Sequence, residues 1–174
     1  MDFLNSIKSQ IPDYAKDIRL NLDAVVARSS LELADALGAM LAAAFAMKSK
    51  ILVDAVRASG ELGETDTNAA LTAAALMGMN NVWYPFLEMA NDNDLKTQRP
   101  ELRMNAYATH GGVDRRRFEL YALAASIVGK CHFCIQSHYK LLRESGMSAT
   151  QMRDVGRIAA VVSAAAQVLA AEGM

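Results

Sequence analysis

Residues 118–138 read FELYALAASIVGKCHFCIQSH, and this stretch decides the fold. An apolar run rich in Ala and Leu is broken at Gly129-Lys130, and a second segment starts at Cys131. Glycine is typical of the position that follows a helix, and the residues on either side are helix formers. The stretch therefore predicts two helices joined by a tight reversal, with both cysteines in the first turn of the second helix.

The rest of the chain also reads as helices. Ala, Leu, Met and Glu dominate, and no strand-like alternation of apolar and polar residues occurs. The predicted helices cover about 12–26, 31–45, 51–58, 66–79, 82–90, 100–107, 114–128, 131–144 and 148–171. An interruption is expected at 80–81, a loop over 91–99 and a turn at 110–112. The predicted fold class is all-α, in a single domain over residues 1–174.

A faint internal repeat relates two stretches of this domain, about 15–90 and 100–172. It rests on aligning Gly60 with Gly146, each of which is preceded by serine. In that alignment the first stretch has Phe45, Lys48, Leu52 and Leu33 where the second has Cys131, Cys134, His138 and Glu119. The hypothesis is therefore that the first half is scaffold and the second half carries the chemistry.

Composition and charge exclude several functions. The net charge is −1 and no clustered basic surface is evident, so we expect no nucleic-acid partner. The start of the chain does not read as a secretory signal, and the most apolar runs, 39–47 and 158–166, are too short to span a bilayer. Both cysteines lie in one C-x-x-C, which is not the framework of a secreted domain. We expect a cytoplasmic protein that does not interact with a membrane.

The C-x-x-C-x-x-x-H run is the part of the sequence that predicts chemistry. Unpaired N–H groups and the dipole at a helix start favour a thiolate, the nucleophilic form of cysteine. Cys131 and Cys134 are three apart and can close a disulfide, and His138 lies one turn beyond Cys134 on the same face. A histidine there can pass protons to and from the thiols.

Glu119 joins this group by a geometric argument. It lies ten residues before Gly129, and His138 lies eight after Lys130. At about 1.5 Å per residue, both are roughly 12–15 Å from the reversal, so antiparallel helices bring them side by side. A carboxylate at a helix interface is desolvated, and we expect this to raise its pKa. The alternative is an ordinary salt bridge of Glu119 with an arginine, either in 115–117 or Arg143.

Two other interpretations of these residues stay open. The cysteines and His138, together with His110 or His132, could hold a structural metal ion as four ligands, although no second well-spaced ligand pair is evident. The basic cluster 115–117 at a helix start runs against the helix dipole, and a solvated face is its expected role.

Several strings along the chain resemble one known family. They are Pro12–Asp17, Met77–Val82, Leu102–Asn105, Phe118–Leu120 and the run from Cys131 to His138. These strings are spread along the chain, and over nearly its whole length the sequence resembles the alkyl hydroperoxidase D (AhpD) proteins of the carboxymuconolactone decarboxylase superfamily.

The resemblance implies an AhpD-like all-α fold in a homotrimer, and an antioxidant thiol peroxidase that reduces alkyl hydroperoxides. It implies Cys134 as the sulfenic acid, Cys131 as proton donor and resolving thiol, and Glu119 with His138 as a proton relay. It also implies a redox-active disulfide Cys131–Cys134, no bound cofactor or metal, and a peroxiredoxin partner that the dithiol regenerates. The resemblance further implies that the electrons come from dihydrolipoyl groups on an acyltransferase. The alternatives are a non-redox lactone decarboxylase of the same superfamily and a metal-stapled helical binding module.

One position departs from the family pattern. Several members carry histidine immediately before the second cysteine, where this chain has Phe133, with His132 one residue earlier. Because a helix turns about 100° per residue, His132 cannot take the place of that histidine. We therefore expect this chain to lack any role that this histidine has in other members of the family.

Overall fold

The computed structural model describes residues 1–173, which form α-helices and short 3₁₀ helices, with no β-strand in that range. The α-helices are α1 (Asn5–Lys8), α2 (Lys16–Ala27), α3 (Leu33–Ala46), α4 (Lys50–Ala58), α5 (Glu64–Ala90), α6 (Asn93–Thr97), α7 (Asn105–Ala108), α8 (Arg115–Gly129), α9 (His132–Glu144) and α10 (Ala149–Ala171). The predicted all-α class is confirmed.

Helices α3 and α8 cross at the centre of the core and are flanked by α5 and α10. Their buried faces are mostly alanine and leucine, which allows the backbones to approach closely. At the crossing, the Tyr121 ring lies directly over Gly38, and a Cβ atom at Gly38 would lie 2.1 Å from that ring. A side chain at residue 38 is therefore incompatible with the present α3–α8 packing.

A charged cluster ties the start of α8 to α3. Asp35 is buried, and Arg116 Nη1 lies 2.7 Å and Arg117 Nε 2.9 Å from its two carboxylate oxygens. A buried carboxylate must be paired, and these guanidinium groups provide the charge. The prediction of a solvated face at 115–117 is wrong for these two arginines, whereas Arg115 is largely exposed.

Helix α5 is continuous where the sequence predicted an interruption. Asn80 is buried within it, and Asn81 Nδ2 donates to the carbonyl oxygen of Ala125 on α8, at 3.1 Å. Asparagine is a weak helix former because its amide competes for backbone groups. Here the amide of Asn81 finds its partner on another helix, so the α5 backbone is not disturbed.

The segment that follows α5 also differs from expectation. The predicted loop over 91–99 contains the short helix α6, whose first turn is capped by the Asp92 carboxylate. The helix predicted from Pro100 to about residue 107 is reduced to α7. The turn expected at 110–112 is present as a 3₁₀ turn with Gly111 at a positive φ.

The first and second helix pairs, α3–α4 and α8–α9, begin at matching positions. An offset of 82 residues takes α3 onto α8 and Lys48 onto Lys130, and both lysines are left-handed, with φ of 58° and 54°. Helix α9 has 13 residues and α4 has 9, so the alignment of Gly60 with Gly146 holds only beyond these helices. The residue correspondences predicted from it are therefore displaced by one helical turn.

Among the helices of residues 1–173, α10 is the one long and apolar enough to cross a membrane by length and composition alone. A core helix of a globular fold passes the same test. In α10 the apolar residues Val155, Ile158 and Val162 are fully buried against the rest of the fold.

Candidate functional site

The site is built around the reversal between α8 and α9. Helix α8 ends at Gly129, Lys130 adopts the left-handed conformation, and Cys131 is the N-cap residue of α9. A Cβ atom at Gly129 would lie 2.1 Å from the amide of Asn81, so the reversal packs tightly against α5. The predicted break and the predicted placement of the cysteines at the helix start are both present.

Cys131 and Cys134 form a disulfide, with their Cα atoms 5.3 Å apart. Both are buried. The backbone N–H of Cys134 points at Cys131 Sγ, at an N···S distance of 3.2 Å. The first turn of α9 thus directs a backbone donor at this sulfur, an arrangement that would stabilise a thiolate after reduction.

Glu119 and His138 meet across the α8–α9 interface. His138 Nδ1 lies 2.5 Å from Glu119 Oε2. Both residues are buried: His138 is 5% exposed and Glu119 is 1% exposed. The antiparallel arrangement inferred from their distances to the reversal is thus the one observed. Of the alternative arginine partners, Arg143 instead donates to the carbonyl oxygen of Met147. Arg115 does form an ion pair with Glu119, beside the His138 contact.

The other oxygen of Glu119 accepts a hydrogen bond from the Tyr107 hydroxyl, and Arg115 Nε lies 3.7 Å from it. Burial alone would raise the pKa of Glu119. The hydrogen bonds from His138 and Tyr107, and then the charges of His138 and Arg115, outweigh burial, so the pKa is lowered. The predicted increase is wrong because it considered burial alone, whereas the hydrogen bonds from His138 and Tyr107 outweigh burial.

Tyr107 was missed by the sequence argument. It lies on α7, twelve residues before Glu119, and its position in space is set by a turn rather than by a helical repeat. Its nearest signal is the family-like string that ends at Asn105. Burial and the hydrogen bond to the Glu119 carboxylate raise the pKa of Tyr107, so its hydroxyl stays protonated and donates.

The second ring nitrogen of His138 faces Met77. Nε2 lies 3.2 Å from Met77 Sδ, on α5. Because Nδ1 donates to an ionised carboxylate, the neutral ring carries its free lone pair on Nε2. Nε2 is therefore the atom of His138 that can accept a proton. Met77 lies inside one of the family-like strings, but its contact with His138 was not predicted.

A cavity of about 340 Å³ opens onto this group. Cys134, His138 and Tyr107 line it together with Asn80, Tyr84, Met104, Ala108, Phe133 and Ser137. Its walls are largely apolar and include a few polar groups, as is usual for small-molecule sites. Cys131 is not part of the lining, so Cys134 is the cysteine that borders the cavity.

The four ligands required by the metal interpretation are not brought together. His132 lies on the surface, where Nδ1 is 3.2 Å from Glu88 Oε1, and His110 packs against the Phe118 ring. Within residues 1–173, no group of three or more His, Cys, Asp or Glu side chains is placed to hold a metal ion. The sulfurs are bonded to each other instead.

A helical fold with a C-x-x-C disulfide beside a buried carboxylate–imidazole pair defines a thiol-redox enzyme of all-α class. The sequence model of the carboxymuconolactone decarboxylase family matches residues 93–173. The chain is 41% identical to the alkyl hydroperoxide reductase AhpD of Rhodospirillum centenum, over 97% of this chain and 91% of that protein.

Two further relatives bear the same name. The AhpD of Maricaulis maris is 40% identical over 97% of this chain and 98% of its own. The AhpD of Streptomyces coelicolor is 39% identical over 98% of this chain and 97% of its own. The chain belongs to the AhpD family of alkyl hydroperoxide reductases.

Proposed function

We propose that this protein reduces alkyl hydroperoxides with the Cys131–Cys134 dithiol and takes its electrons from dihydrolipoyl groups. The observation that carries the proposal is the position of Cys134, which shares a largely apolar cavity with His138. Family membership supports the reaction class. The geometry described above supports the roles of the individual residues.

The reaction begins on the reduced dithiol. The Cys134 thiolate attacks the terminal oxygen of the hydroperoxide, the O–O bond breaks, and the alcohol leaves after taking one proton. Cys134 is now a sulfenic acid. The Cys131 thiol condenses with it, so the S–S bond forms and water leaves. One hydroperoxide is thereby reduced to alcohol and water, and two thiols are oxidised to one disulfide.

His138 and Glu119 handle the protons in this scheme. His138 Nε2 takes the proton from the Cys134 thiol and returns it to the alkoxide that leaves. Glu119 Oε2 accepts a hydrogen bond from His138 Nδ1–H, with an N···O distance of 2.5 Å. This hydrogen bond fixes the ring tautomer and stabilises the imidazolium that forms. The lowered pKa of Glu119 suits this role, because an ionised carboxylate is the form that stabilises a cation.

Regeneration follows from which sulfur is accessible. A dihydrolipoyl thiolate that enters the cavity meets Cys134 Sγ, and the Cys131 sulfur is the leaving group. The N–H of Cys134 stabilises that sulfur as a thiolate. The second thiol of the dihydrolipoyl group then attacks the mixed disulfide, so that the lipoyl disulfide closes and Cys134 leaves as the thiolate. The dihydrolipoyl carrier is an acyltransferase, and the reduced dithiol in turn reduces an oxidised peroxiredoxin.

The cytoplasmic chain acts as a single domain assembled into a homotrimer. The second half of α5 carries an exposed apolar row, in which Val82 is 70%, Phe86 46% and Met89 78% exposed. Three large apolar side chains on one face of a helix are typical of a surface that another subunit covers. Sedimentation velocity of the wild type tests the trimer, and a monomer at micromolar concentration contradicts it.

The central experiment compares turnover of tert-butyl hydroperoxide with dihydrolipoamide in wild type, Cys134→Ser and Cys131→Ser. We expect no turnover above background in either variant. Cys131→Ser should still form one sulfenic acid per chain, trapped with dimedone, because the attacking sulfur remains. Equal turnover in wild type and Cys134→Ser would contradict the proposal.

The decarboxylase name of the matching family model supports a second candidate, acid–base lactone decarboxylation by Glu119 and His138. This chemistry needs neither sulfur. Decarboxylation of a muconolactone substrate by the Cys131→Ser, Cys134→Ser double variant, at the wild-type rate, would establish it in place of the redox reaction.

A further inference from the structure

An aromatic pair stands at the mouth of the catalytic cavity and is not explained by the core. Phe133 lies between the two cysteines and is 53% exposed. Its ring stacks on Tyr84 of α5, with centroids 4.2 Å apart and planes 23° from parallel. Neither ring belongs to the core cluster or to the side chains packed against it. A large apolar side chain held in water beside a buried disulfide is a feature that a ligand would use.

The pair forms a wall between two cavities. On one side it lines the cavity that contains Cys134 and His138. On the other side it lines a second cavity of about 620 Å³, together with Leu87, His132 and Gln136. A ligand group that binds against the stack in the first cavity therefore lies near Cys134. One that binds against it in the second cavity lies beyond the wall.

The size of the catalytic cavity distinguishes possible peroxides. Its 340 Å³ is roughly ten times the volume that one water molecule occupies in the liquid. Hydrogen peroxide is little larger than water, so it would leave most of this apolar space wet. A hydroperoxide with a bulky apolar group fills the space, expels that water and gains from the burial of its apolar surface.

We propose that the Tyr84–Phe133 stack is a specificity-determining wall that selects hydroperoxides with an aryl or branched alkyl group over hydrogen peroxide. This inference rests on the proposed function. The apolar group lies against the two rings, and the terminal peroxide oxygen reaches Cys134 Sγ. The stack contacts the part of the substrate that does not react, so its contribution is to binding and orientation.

The test measures single-turnover oxidation of pre-reduced enzyme, so that no reductant competes for the cavity. Free thiols are counted by alkylation after mixing with cumene hydroperoxide or with hydrogen peroxide. The variants are Phe133→Ala and Tyr84→Ala, and Phe133→Leu replaces the first should it not fold. The matched control is Tyr139→Ala, an exposed aromatic on the same helix that lines neither cavity.

We expect the second-order rate constant for cumene hydroperoxide to fall about tenfold or more in both wall variants, since loss of an apolar pocket contact has effects of this order. The constant for hydrogen peroxide should change less than about twofold, because general reactivity of the thiol is kept. The control should resemble wild type for both peroxides.

Two failures are distinguishable. Wall variants that still react and keep the wild-type preference overturn this inference and leave the proposed function standing. The same holds for wall variants whose rate constants for both peroxides fall in parallel. Wild-type thiols that survive every hydroperoxide overturn the proposed function, and this inference with it.

Discussion

The helix pair α3–α4 and the helix pair α8–α9 begin at equivalent positions but differ in the residues they bury. Under the offset of 82 residues, Leu37, Leu52 and Val56 take the positions of Glu119, Cys134 and His138. All six side chains are buried. The same backbone arrangement therefore holds an apolar core in one half and the candidate site in the other.

The difference shows what a buried polar site requires. In the second pair, Glu119 has His138, Tyr107 and Arg115 around its carboxylate. A buried carboxylate without such partners would cost several kcal/mol, and apolar residues avoid that cost altogether. The site is therefore tolerated because α7 and α9 supply donors, and the leucine and valine of the first pair need none.

The largest expected effect comes from giving the second pair the contents of the first. The double variant Glu119→Leu, His138→Val should reduce hydroperoxide turnover by about 100-fold or more, because the acid–base pair is lost. Its free energy of unfolding in urea should stay within about 1 kcal/mol of wild type or rise, because replacing a buried pair by apolar residues is often neutral or stabilising.

The single variants are the controls for this exchange. Glu119→Leu alone leaves the His138 imidazole without its buried acceptor and should lower the free energy of unfolding by about 1–3 kcal/mol. A double variant that is less stable than either single variant would show that the two helix pairs do not share one packing arrangement.

Much of the second helix pair could be predicted from sequence. Gly129 marks the reversal, and similar distances from it place Glu119 beside His138, because both facts depend only on helix geometry. Contacts from other elements could not be predicted. Tyr107 reaches Glu119 from a turn, and the amide of Asn81 finds Ala125 on another helix. The sign of the Glu119 pKa shift depended on its hydrogen bonds with His138 and Tyr107, which outweigh burial.

A smaller effect tests how closely the two pairs are joined. Gly38→Ala should lower the free energy of unfolding by about 1–3 kcal/mol, because the added Cβ would lie 2.1 Å from the Tyr121 ring where α3 crosses α8. Gly156→Ala on α10 is the matched control, since nothing lies within 4 Å of its Cβ position. It should be stabilising by up to about 1 kcal/mol. Equal effects of the two variants would contradict the close crossing.

The smallest effect concerns the donor that the first pair lacks. Burial acts to raise the pKa of Glu119. His138, Tyr107 and Arg115 act to lower it, and the net effect is a lowered pKa. Tyr107→Phe removes one of the lowering hydrogen bonds and keeps the ring against Phe118, so the pKa of Glu119 should rise. Tyr14→Phe is the control, because its hydroxyl donates to an exposed carboxylate outside the site, that of Glu172.

A folded-state pKa that is lowered means that ionised Glu119 stabilises the fold above its unfolded pKa, and that this stabilisation is lost as the pH falls through the folded value. Tyr107→Phe raises the folded-state pKa of Glu119, so the pH range in which ionised Glu119 stabilises the fold becomes narrower at its acid end. The acid limb of turnover against pH should therefore move up by about one pH unit, since a hydrogen bond to a charged group contributes about 1.5–3 kcal/mol at most and one unit is about 1.4 kcal/mol. Arg115 on α8, and Arg116 and Glu144 at the neighbouring cavity, remain in both proteins. An unmoved limb in Tyr107→Phe would show that Glu119 does not titrate in the reaction, and that the chemistry of the second helix pair rests on its sulfurs and His138 alone.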